Sequence, residues 1–514
     1  MTFFTKKRGS FKNDILSGIT VALALVPEAV AFSFVAGVDP QVGLFSAFMV
    51  GLIAATIGGR PGMISGATGA IAVVVAPLVA SHGVEYLFAA IVLAGVIQVG
   101  VGLMRWGKFI RLVPHSVMLG FVNGLAIIIF LSQFEAFKVE GADGHHEWIN
   151  GLSLIVILAL IALTMAITHY LPRLTKAVPA ALAAIAICTF TSMGLEHFFG
   201  IHAMTVAEMA GGSLAGGFPP FHIPAIPFEW TTLKILMTFA LPVAAVGLIE
   251  SLMTLTLIDE MTETRGRGNR ECVGQGSANI LSGLFGGMGG CAMIGQSMIN
   301  ISSGGRGRTS GVTAAVGLLI FVLFGADLIG QIPTAALVGI MFMVVIGTFE
   351  WTTFRILHKI PRTDMLVILA VSVITVFTNL AVAVAIGIII SALVFAWEKG
   401  KNIRCKSYID EHDTKVYRLD GPLFFGAVHS FSSLFTPADD PEEVVIDFMR
   451  SRVYDHSALD AVHKLTEKYA AAGKRLHLLN LSKECRTLLG NAEGVVEVSV
   501  IEDLDWHLAV DELA

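Results

Sequence analysis

The most informative segment of the sequence runs from Gly286 to Gln296 and reads Gly-Gly-Met-Gly-Gly-Cys-Ala-Met-Ile-Gly-Gln. It is apolar, yet glycines interrupt it, and it follows an apolar span that carries Pro242 and Glu250. A glycine-rich break of this kind is typical either of close helix packing or of a discontinuous membrane helix.

A second stretch of the same character occurs in the first part of the chain. It runs from Gly62 to Gly69, reads Gly-Met-Ile-Ser-Gly-Ala-Thr-Gly, and follows a span with Pro27 and Glu28. Two interrupted segments at matching positions predict an inverted repeat, with the substrate site between the two broken helices.

The composition indicates a membrane protein. Of the 514 residues, 54% are hydrophobic and only 14% are charged, with a mean hydropathy of +0.75, whereas soluble domains carry about 25% charged residues. Counting the three glycine-broken stretches, 14 spans are predicted, near residues 13 to 34, 40 to 58, 61 to 80, 86 to 104, 117 to 136, 151 to 170, 178 to 198, 236 to 258, 274 to 286, 288 to 303, 311 to 325, 334 to 350, 364 to 379 and 380 to 398.

Basic residues alternate from one predicted loop to the next. Because Lys and Arg near span ends stay in the cytoplasm, their pattern predicts a multi-pass protein of the cell (inner) membrane with both termini cytoplasmic. The residues on which this topology rests are Arg60, Arg105, Lys108, Arg111, Arg173, Lys176, Arg265, Arg267, Arg270, Arg306, Arg308, Arg355, Lys359, Arg362, Lys399, Lys401 and Arg404.

The last part of the chain is much richer in charged residues than the rest, which predicts a transmembrane domain over 1–404 and a cytoplasmic α/β domain over 405–514. Strands are expected at 415–420, 423–427, 444–449, 475–481 and 495–500, and helices at 457–472 and 483–489. The tail has no phosphate-binding loop and no nucleophile elbow, so no enzymatic activity is expected. The net charge of −6 argues against nucleic acid as a partner.

Two acidic residues, Glu28 and Glu250, lie in the interior of predicted spans, several residues away from the span ends. A carboxylate such as Glu250 is costly at that depth unless it is protonated, paired or open to water, which makes a functional role the default interpretation. Glu28 is similar, although it follows Pro27 and could instead cap the backbone defect that the proline creates.

The two breaks also predict an anion site. Helix N-termini that point toward the membrane centre present free N–H groups and partial positive charge, and they are expected after Gly66 and after Gly295, with Thr68, Gly69, Gln296 and Ser297 as the first donors. Neither segment contains Lys or Arg, which favours a weakly held small anion. The five cysteines lack the paired spacing of a zinc site; free thiols, no metal and no cofactor are expected.

The layout resembles the sulfate permease (SulP) family of anion transporters over nearly the whole chain. The segments that carry the resemblance are Ala24–Phe32, Ala36–Ala47, Glu250–Leu252 and Asn300–Ser310. The resemblance implies 14 spans in a 7+7 inverted repeat, a core (spans 1 to 4 and 8 to 11), a gate (spans 5 to 7 and 12 to 14), a homodimer in the lipid membrane and an elevator-like motion. It also implies that the tail is a STAS domain.

Two departures from the family pattern bear on function. Many anion-transporting relatives have an arginine where this chain has Gln296, so sulfate, bicarbonate and other small anions all remain open as substrates. The serine that is phosphorylated in related STAS proteins is replaced here by His456.

The sequence therefore predicts a secondary active transporter of a small inorganic anion, with Glu28 and the two helix N-termini binding the anion and Glu250 as the coupling residue. A proton is favoured as the coupling ion, because sodium-coupled relatives tend to have aspartate at this position. The alternatives are a sodium-coupled bicarbonate symporter, with sodium at Glu250 and Thr68, and a passive anion channel or exchanger.

Overall fold

A computed structural model describes residues 11–108, 113–140, 146–175, 179–209, 217–356, 359–377, 380–410 and 413–481. In this part of the chain, fourteen helices of nine or more residues precede the tail. They are α1 (Phe11–Ala36), α2 (Pro40–Ile57), α3 (Gly69–His82), α4 (Val84–Leu103), α5 (His115–Ser132), α6 (Leu152–Leu174), α7 (Ala180–Phe199), α8 (Trp230–Thr262), α9 (Gly268–Leu284), α10 (Ile294–Ser302), α11 (Arg308–Phe324), α12 (Thr334–Thr348), α13 (Arg362–Phe377) and α14 (Leu380–Gly400).

Length and hydropathy alone identify eight helices in the described residues that could cross a membrane. The two helices that follow the glycine breaks fail this criterion because they are short, 14 residues in α3 and 9 in α10. The stretch 274–286, which we expected to be broken, is instead unbroken helix up to Leu284, the last residue of α9.

Helices α1 to α13 pack in the pattern of an inverted repeat, in which the second half begins at α8. Helix α1 packs against α11, and its counterpart α8 packs against α4; likewise α3 packs against α8, and α10 against α1. Helices α1–α4 and α8–α11 form one group, the core, and α5–α7 with α12 and α13 form another, the gate. The repeat predicted from the paired breaks is therefore confirmed.

Glycines allow the core helices to approach closely where α4 crosses α9. A Cβ atom added at Gly95 would lie 2.5 Å from the Gly276 carbonyl oxygen, and one added at Gly276 would lie 2.6 Å from the Gly95 carbonyl oxygen. Small residues at such a crossing bring two backbones into van der Waals contact, which is the main attraction between helices in lipid.

Two short antiparallel ribbons belong to the membrane part. Strand β1 (Ser65–Gly66) pairs with β4 (Cys291–Ala292), whereas β2 (Lys138–Glu140) pairs with β3 (His146–Trp148) in the segment between α5 and α6. The first ribbon joins the two glycine-rich breaks, which lie far apart in the sequence.

The tail contains a four-stranded sheet in the order β5 (Arg404–Ile409), β6 (Lys415–Leu423), β7 (Glu443–Val453), β8 (Arg475–Leu479). Strands β5 and β6 are antiparallel, and β6, β7 and β8 are parallel. Helix α15 (His456–Ala471) begins at an Asp455 cap, whose carboxylate accepts the Ala458 N–H at 2.9 Å.

Buried Asp440 connects a strand and a helix of the tail through hydrogen bonds. Burial works against ionisation of Asp440, but hydrogen bonds from Lys415, Tyr469 and Tyr417 outweigh it and hold the pKa of Asp440 below its ordinary value. The carboxylate thereby links β6 to α15.

Two expectations for the tail were wrong. We missed β5, because nearly all its side chains are exposed and it lacks the alternation of a half-buried strand. The segment expected as a strand at 423–427 ends in a 3₁₀ turn over Phe425–Ala427. The expected elements at 483–489 and 495–500 lie outside the described residues.

The chain divides into two compact units, with the boundary between Ile388 and Ile389 inside α14. The domain boundary between residues 404 and 405 stays a prediction.

Candidate functional site

The two broken helices meet through their backbones. In the β1–β4 ribbon, Gly66 lies opposite Cys291, and the Met293 N–H donates to the Ile64 carbonyl oxygen at 2.9 Å. Helix α3 then begins at Gly69, and α10 begins at Ile294. The two helices, one from each half of the repeat, therefore both begin next to the same ribbon.

The glycine run permits this crossing. A Cβ atom at Gly290 would lie only 2.0 Å from the Gly66 carbonyl oxygen, a distance that no side chain can tolerate. The glycines that identified the break in the sequence are thus required by the close approach of two backbones.

Both helices start without a side-chain cap, since the side chains of Thr68 and Met293 accept no hydrogen bond from the first turn of their helix. The first hydrogen bonds within the helices are donated by Ala72 to Thr68 and by Ser297 to Met293, both at 3.0 Å. The amides that precede these donors have no partner inside their helix and remain available to a ligand. They are the amides of Gly69, Ala70, Ile71, Ile294, Gly295 and Gln296.

Two expectations about the second N-terminus were wrong. Helix α10 begins at Ile294, before Gly295, because pairing of β4 fixes the chain only up to Ala292. The Ser297 amide is consumed inside the helix, and its fully buried hydroxyl accepts the Ile64 N–H at 2.9 Å. Ser297 therefore fastens α10 to the neighbouring break.

Glu250 lies on α8 beside the ribbon and is partly buried. The Cys291 thiol donates to its Oε2 at 2.9 Å, and the same sulfur lies 3.2 Å from the Thr68 hydroxyl. Thr68, Cys291 and Glu250 thus form a hydrogen-bonded row that crosses from the first broken helix to the acid of the second half.

Glu28, on α1, also contacts the break of the second half. The side-chain amide of Gln296 donates to the Glu28 carboxylate. Each acid therefore contacts a residue from the break of the second half, Glu28 through Gln296 and Glu250 through Cys291.

The two N-termini differ in the space around them. A Cβ atom at Gly69 would lie 2.7 Å from the Phe32 ring and 2.9 Å from the Ile129 side chain, whereas one at Gly295 would meet nothing within 4 Å. Side chains therefore pack closely around Gly69 at the start of α3, whereas open space lies beside Gly295 at the start of α10.

A polar scaffold that we did not predict supports the ribbon. Ser251 Oγ accepts the Ala292 N–H at 3.1 Å, and Asn279 Oδ1 accepts the Gly290 N–H at 2.8 Å. Asn279 also donates to Gln98 at 2.8 Å, and Gln275 donates to Ser65 at 2.6 Å. In the sequence, this scaffold is indicated only by amide and hydroxyl side chains within apolar helices. Their hydrogen-bond partners could not be predicted, because these lie far away along the chain.

Metal ligands were not expected. Among the described residues, no group of three or more His, Cys, Asp or Glu side chains could hold a metal ion. The cysteines at 188, 272, 291 and 405 are free, and Cys485 lies outside the described residues.

Comparison with known proteins places this arrangement in a family. Residues 11–371 match the model of the sulfate permease family, and residues 407–503 match that of the STAS domain. The chain belongs to the sulfate permease family. The resemblance inferred from the sequence motifs is thereby confirmed for both parts of the transporter.

Two relatives that match nearly the whole chain are named for different anions. The transporter is 42% identical over 490 residues to the putative sulfate transporter YbaR of Bacillus subtilis, covering 95% of this chain and 98% of that protein. It is 28% identical over 527 residues to the bicarbonate transporter BicA of Picosynechococcus, covering 92% of each.

Two solved structures share the fold. The transmembrane domain of a cyanobacterial BicA is 32% identical, with a TM-score of 0.64 over 73% of this chain and 97% of that one. SLC26A9 is 18% identical, with a TM-score of 0.79 over 96% of this chain and 89% of that one, and shows the fold alone. The protein is a multi-pass membrane protein that transports anions, and it is not an enzyme.

Proposed function

We propose that the protein is a proton-coupled symporter of a small inorganic anion such as sulfate or bicarbonate. The observation that carries the proposal is the ribbon from which two uncapped helix N-termini start beside Glu250. The anion binds to the free amides of α10, next to the open space at Gly295, with Gln296 and Glu28 bordering it.

The chemistry of these donors suits transport. Backbone N–H groups and helix dipoles attract an anion, yet the segments 61–80 and 288–303 contain no Lys or Arg that would hold it tightly. A site that releases its ligand on the far side of the membrane benefits from this moderate attraction. The names of the relatives, one a putative sulfate transporter and the other a bicarbonate transporter, support this substrate class.

Coupling is assigned to Glu250. An anion that crosses alone carries its charge against the resting potential, at about 2.3 kcal/mol per charge per 100 mV, and a proton carried by the carboxylate offsets one such charge. A proton is favoured over sodium because the Cys291 sulfur lies between Thr68 and Glu250. Sodium, a hard cation, prefers oxygen ligands, so a thiol is poorly placed in its coordination shell.

The separate packing of core and gate supports an elevator-like mechanism. Because helices α1–α4 and α8–α11 pack chiefly with one another, the group carrying the ribbon and both acids moves as one body against the gate. Such a movement carries the site across the membrane while its hydrogen bonds stay intact.

We assign residues 1–404 to transport and residues 405–514 to a cytoplasmic STAS domain with a regulatory role, in a homodimer of the inner membrane. The alternation of Lys and Arg between loops supports this orientation. The charged composition of the tail places it outside the hydrocarbon core.

Cysteine labelling tests the orientation. In a Cys405→Ser, Cys485→Ser background, we expect a membrane-impermeant maleimide to label Phe228→Cys on intact cells. Glu263→Cys and Lys464→Cys should react only after permeabilisation. Phe228, Glu263 and Lys464 are exposed, and the unsubstituted background reports any reaction of the remaining buried thiols. Labelling of Lys464→Cys from outside would overturn the topology.

Gln296→Arg tests the anion site. Arginine adds a bidentate, permanently charged donor beside Glu28, so we expect tighter anion binding and a change of about tenfold or more in the preference between sulfate and bicarbonate. Competition between the two anions for uptake measures it. An unchanged preference together with an unchanged rate would mean that the anion binds elsewhere.

The substrate and the coupling ion are tested together in proteoliposomes. We expect labelled sulfate or bicarbonate to accumulate under an imposed inward proton gradient without sodium. Accumulation that requires sodium would move Glu250 from proton carrier to cation ligand. Uptake that only equilibrates under every gradient would indicate a passive channel or exchanger.

A further inference from the structure

Cys291 has no role of its own in the transport cycle proposed above. It lies in β4 opposite Gly66, it is fully buried, and its sulfur contacts two residues that the sequence assigned to the site. The distances are 2.9 Å to Glu250 Oε2 and 3.2 Å to Thr68 Oγ1. The thiol is thus the physical link between the first broken helix and the acid on α8.

The hydrogen-bonding capacity of a thiol fixes the direction of this row. A thiol has one proton and a weakly accepting sulfur, so when it donates to Glu250 the Thr68 hydroxyl must donate to the sulfur. A donor directed at the carboxylate stabilises the ionised acid more than the neutral one. The thiol therefore stabilises the ionised form of Glu250 relative to its protonated form.

We propose that Cys291 is a positioning residue for coupling: its S–H group, oriented by Thr68, holds the ionised Glu250 carboxylate at the ribbon and sets the pH at which that acid takes up its proton. This proposal rests on the proposed function, in which Glu250 carries the proton.

Among the described residues, Cys291 is the only ionisable residue whose side chain is hydrogen-bonded to the Glu250 carboxylate. The elements packed against α8 are α3, α4, α9, α10 and β4. Helix α10 carries no ionisable residue, and in the others such residues lie near helix ends, apart from Cys291 itself. They are His82 on α3, Glu85 and Tyr86 on α4, and Arg270, Glu271 and Cys272 on α9; on α8 itself they are Lys234, Asp259 and Glu260.

The test is the pH profile of proton-driven uptake in two variants. Cys291→Ala removes the donor, so protonation becomes easier, and we expect the midpoint to rise by about one pH unit, the shift equivalent to a hydrogen bond to a charged group. Cys291→Ser replaces the thiol with a stronger donor of similar size, so the midpoint is expected to fall by about half a unit.

Cys188 provides a matched control. It is also fully buried, and its sulfur lies 2.9 Å from the Thr164 hydroxyl, but in the described part of the chain no carboxylate is hydrogen-bonded to it. Cys188→Ala and Cys188→Ser are expected to keep the wild-type midpoint, because loss of a buried thiol by itself does not act on Glu250.

The outcomes separate this proposal from the one on which it rests. If wild-type accumulation is driven by protons and Glu250→Gln abolishes it, while both Cys291 variants keep the wild-type midpoint, the positioning role is refuted and coupling through Glu250 stands. If wild-type accumulation needs no proton gradient, both proposals fail. Should Cys291→Ala not fold, a midpoint in Cys291→Ser that is unchanged or raised overturns the positioning role on its own.

Discussion

Glu250→Gln is expected to abolish gradient-driven accumulation of the anion while leaving the fold and anion binding intact. Glutamine resembles the protonated acid in shape and cannot release a proton, so the imposed gradient no longer drives the anion. For one proton per anion, a gradient of one pH unit supports accumulation of about tenfold, and in the variant this ratio should fall to about one. Uptake of labelled anion into proteoliposomes at a clamped membrane potential measures it.

A control on the same helix makes this result specific. Glu260 lies near the C-terminal end of α8, well beyond Glu250, and is exposed. Glu260→Gln therefore removes the same charge from the same helix away from the ribbon and should accumulate anion like the wild type. Accumulation in Glu250→Gln with the wild-type pH dependence would contradict the assignment of Glu250 as the coupling residue.

Gly295→Leu is expected to reduce anion transport by about 100-fold or more. The space beside Gly295 is open, so the leucine side chain fits without disturbing the helix, and it covers the free amides of α10 that the anion needs. Anion binding by the purified variant and its uptake rate should fall together. Loss of these amide donors is expected to weaken the free energy of anion binding by several kcal/mol.

Gly100→Leu is the matched control for Gly295→Leu. Gly100 lies within α4, where an added Cβ also meets nothing within 4 Å, so the substitution adds the same apolar side chain away from the ribbon and should leave transport close to that of the wild type. A Gly295→Leu protein that still bound and transported the anion at the wild-type rate would place the anion elsewhere. Ser297→Trp is a weaker test, because Ser297 is fully buried against Ile64 and a bulky side chain there would disrupt the ribbon itself.

The fold was largely predictable because its decisive signals are local. Glycine breaks such as Gly286–Gly290, each preceded by a proline and an acid within a span, were enough to predict the inverted repeat. Alternation of basic residues between the predicted loops indicated an even number of spans. The weakest local signals gave the errors: the antiparallel pairing that starts α10 at Ile294 leaves no trace in the hydropathy, and exposed strand β5 has no alternation of burial.

The contacts within the site were less accessible to sequence reasoning. Thr68, Glu250 and Gln296 could each be singled out as polar residues in apolar surroundings, but their partners could not, because hydrogen bonds such as Thr68 to Cys291 join residues more than 200 positions apart. Cys291 was recognised only as an isolated thiol. Only the pairing of β1 with β4 brings it between Thr68 and Glu250.

Coupling of anion movement to a proton through Glu250 can be observed within one preparation. The proton flux is recorded with an internal pH dye, and the uptake of labelled anion is recorded in the same proteoliposomes, for the wild type and for Glu250→Gln. We predict that an imposed anion gradient drives proton entry in the wild type and that this proton flux disappears in the variant. Anion uptake by the wild type with no accompanying proton movement would contradict the account.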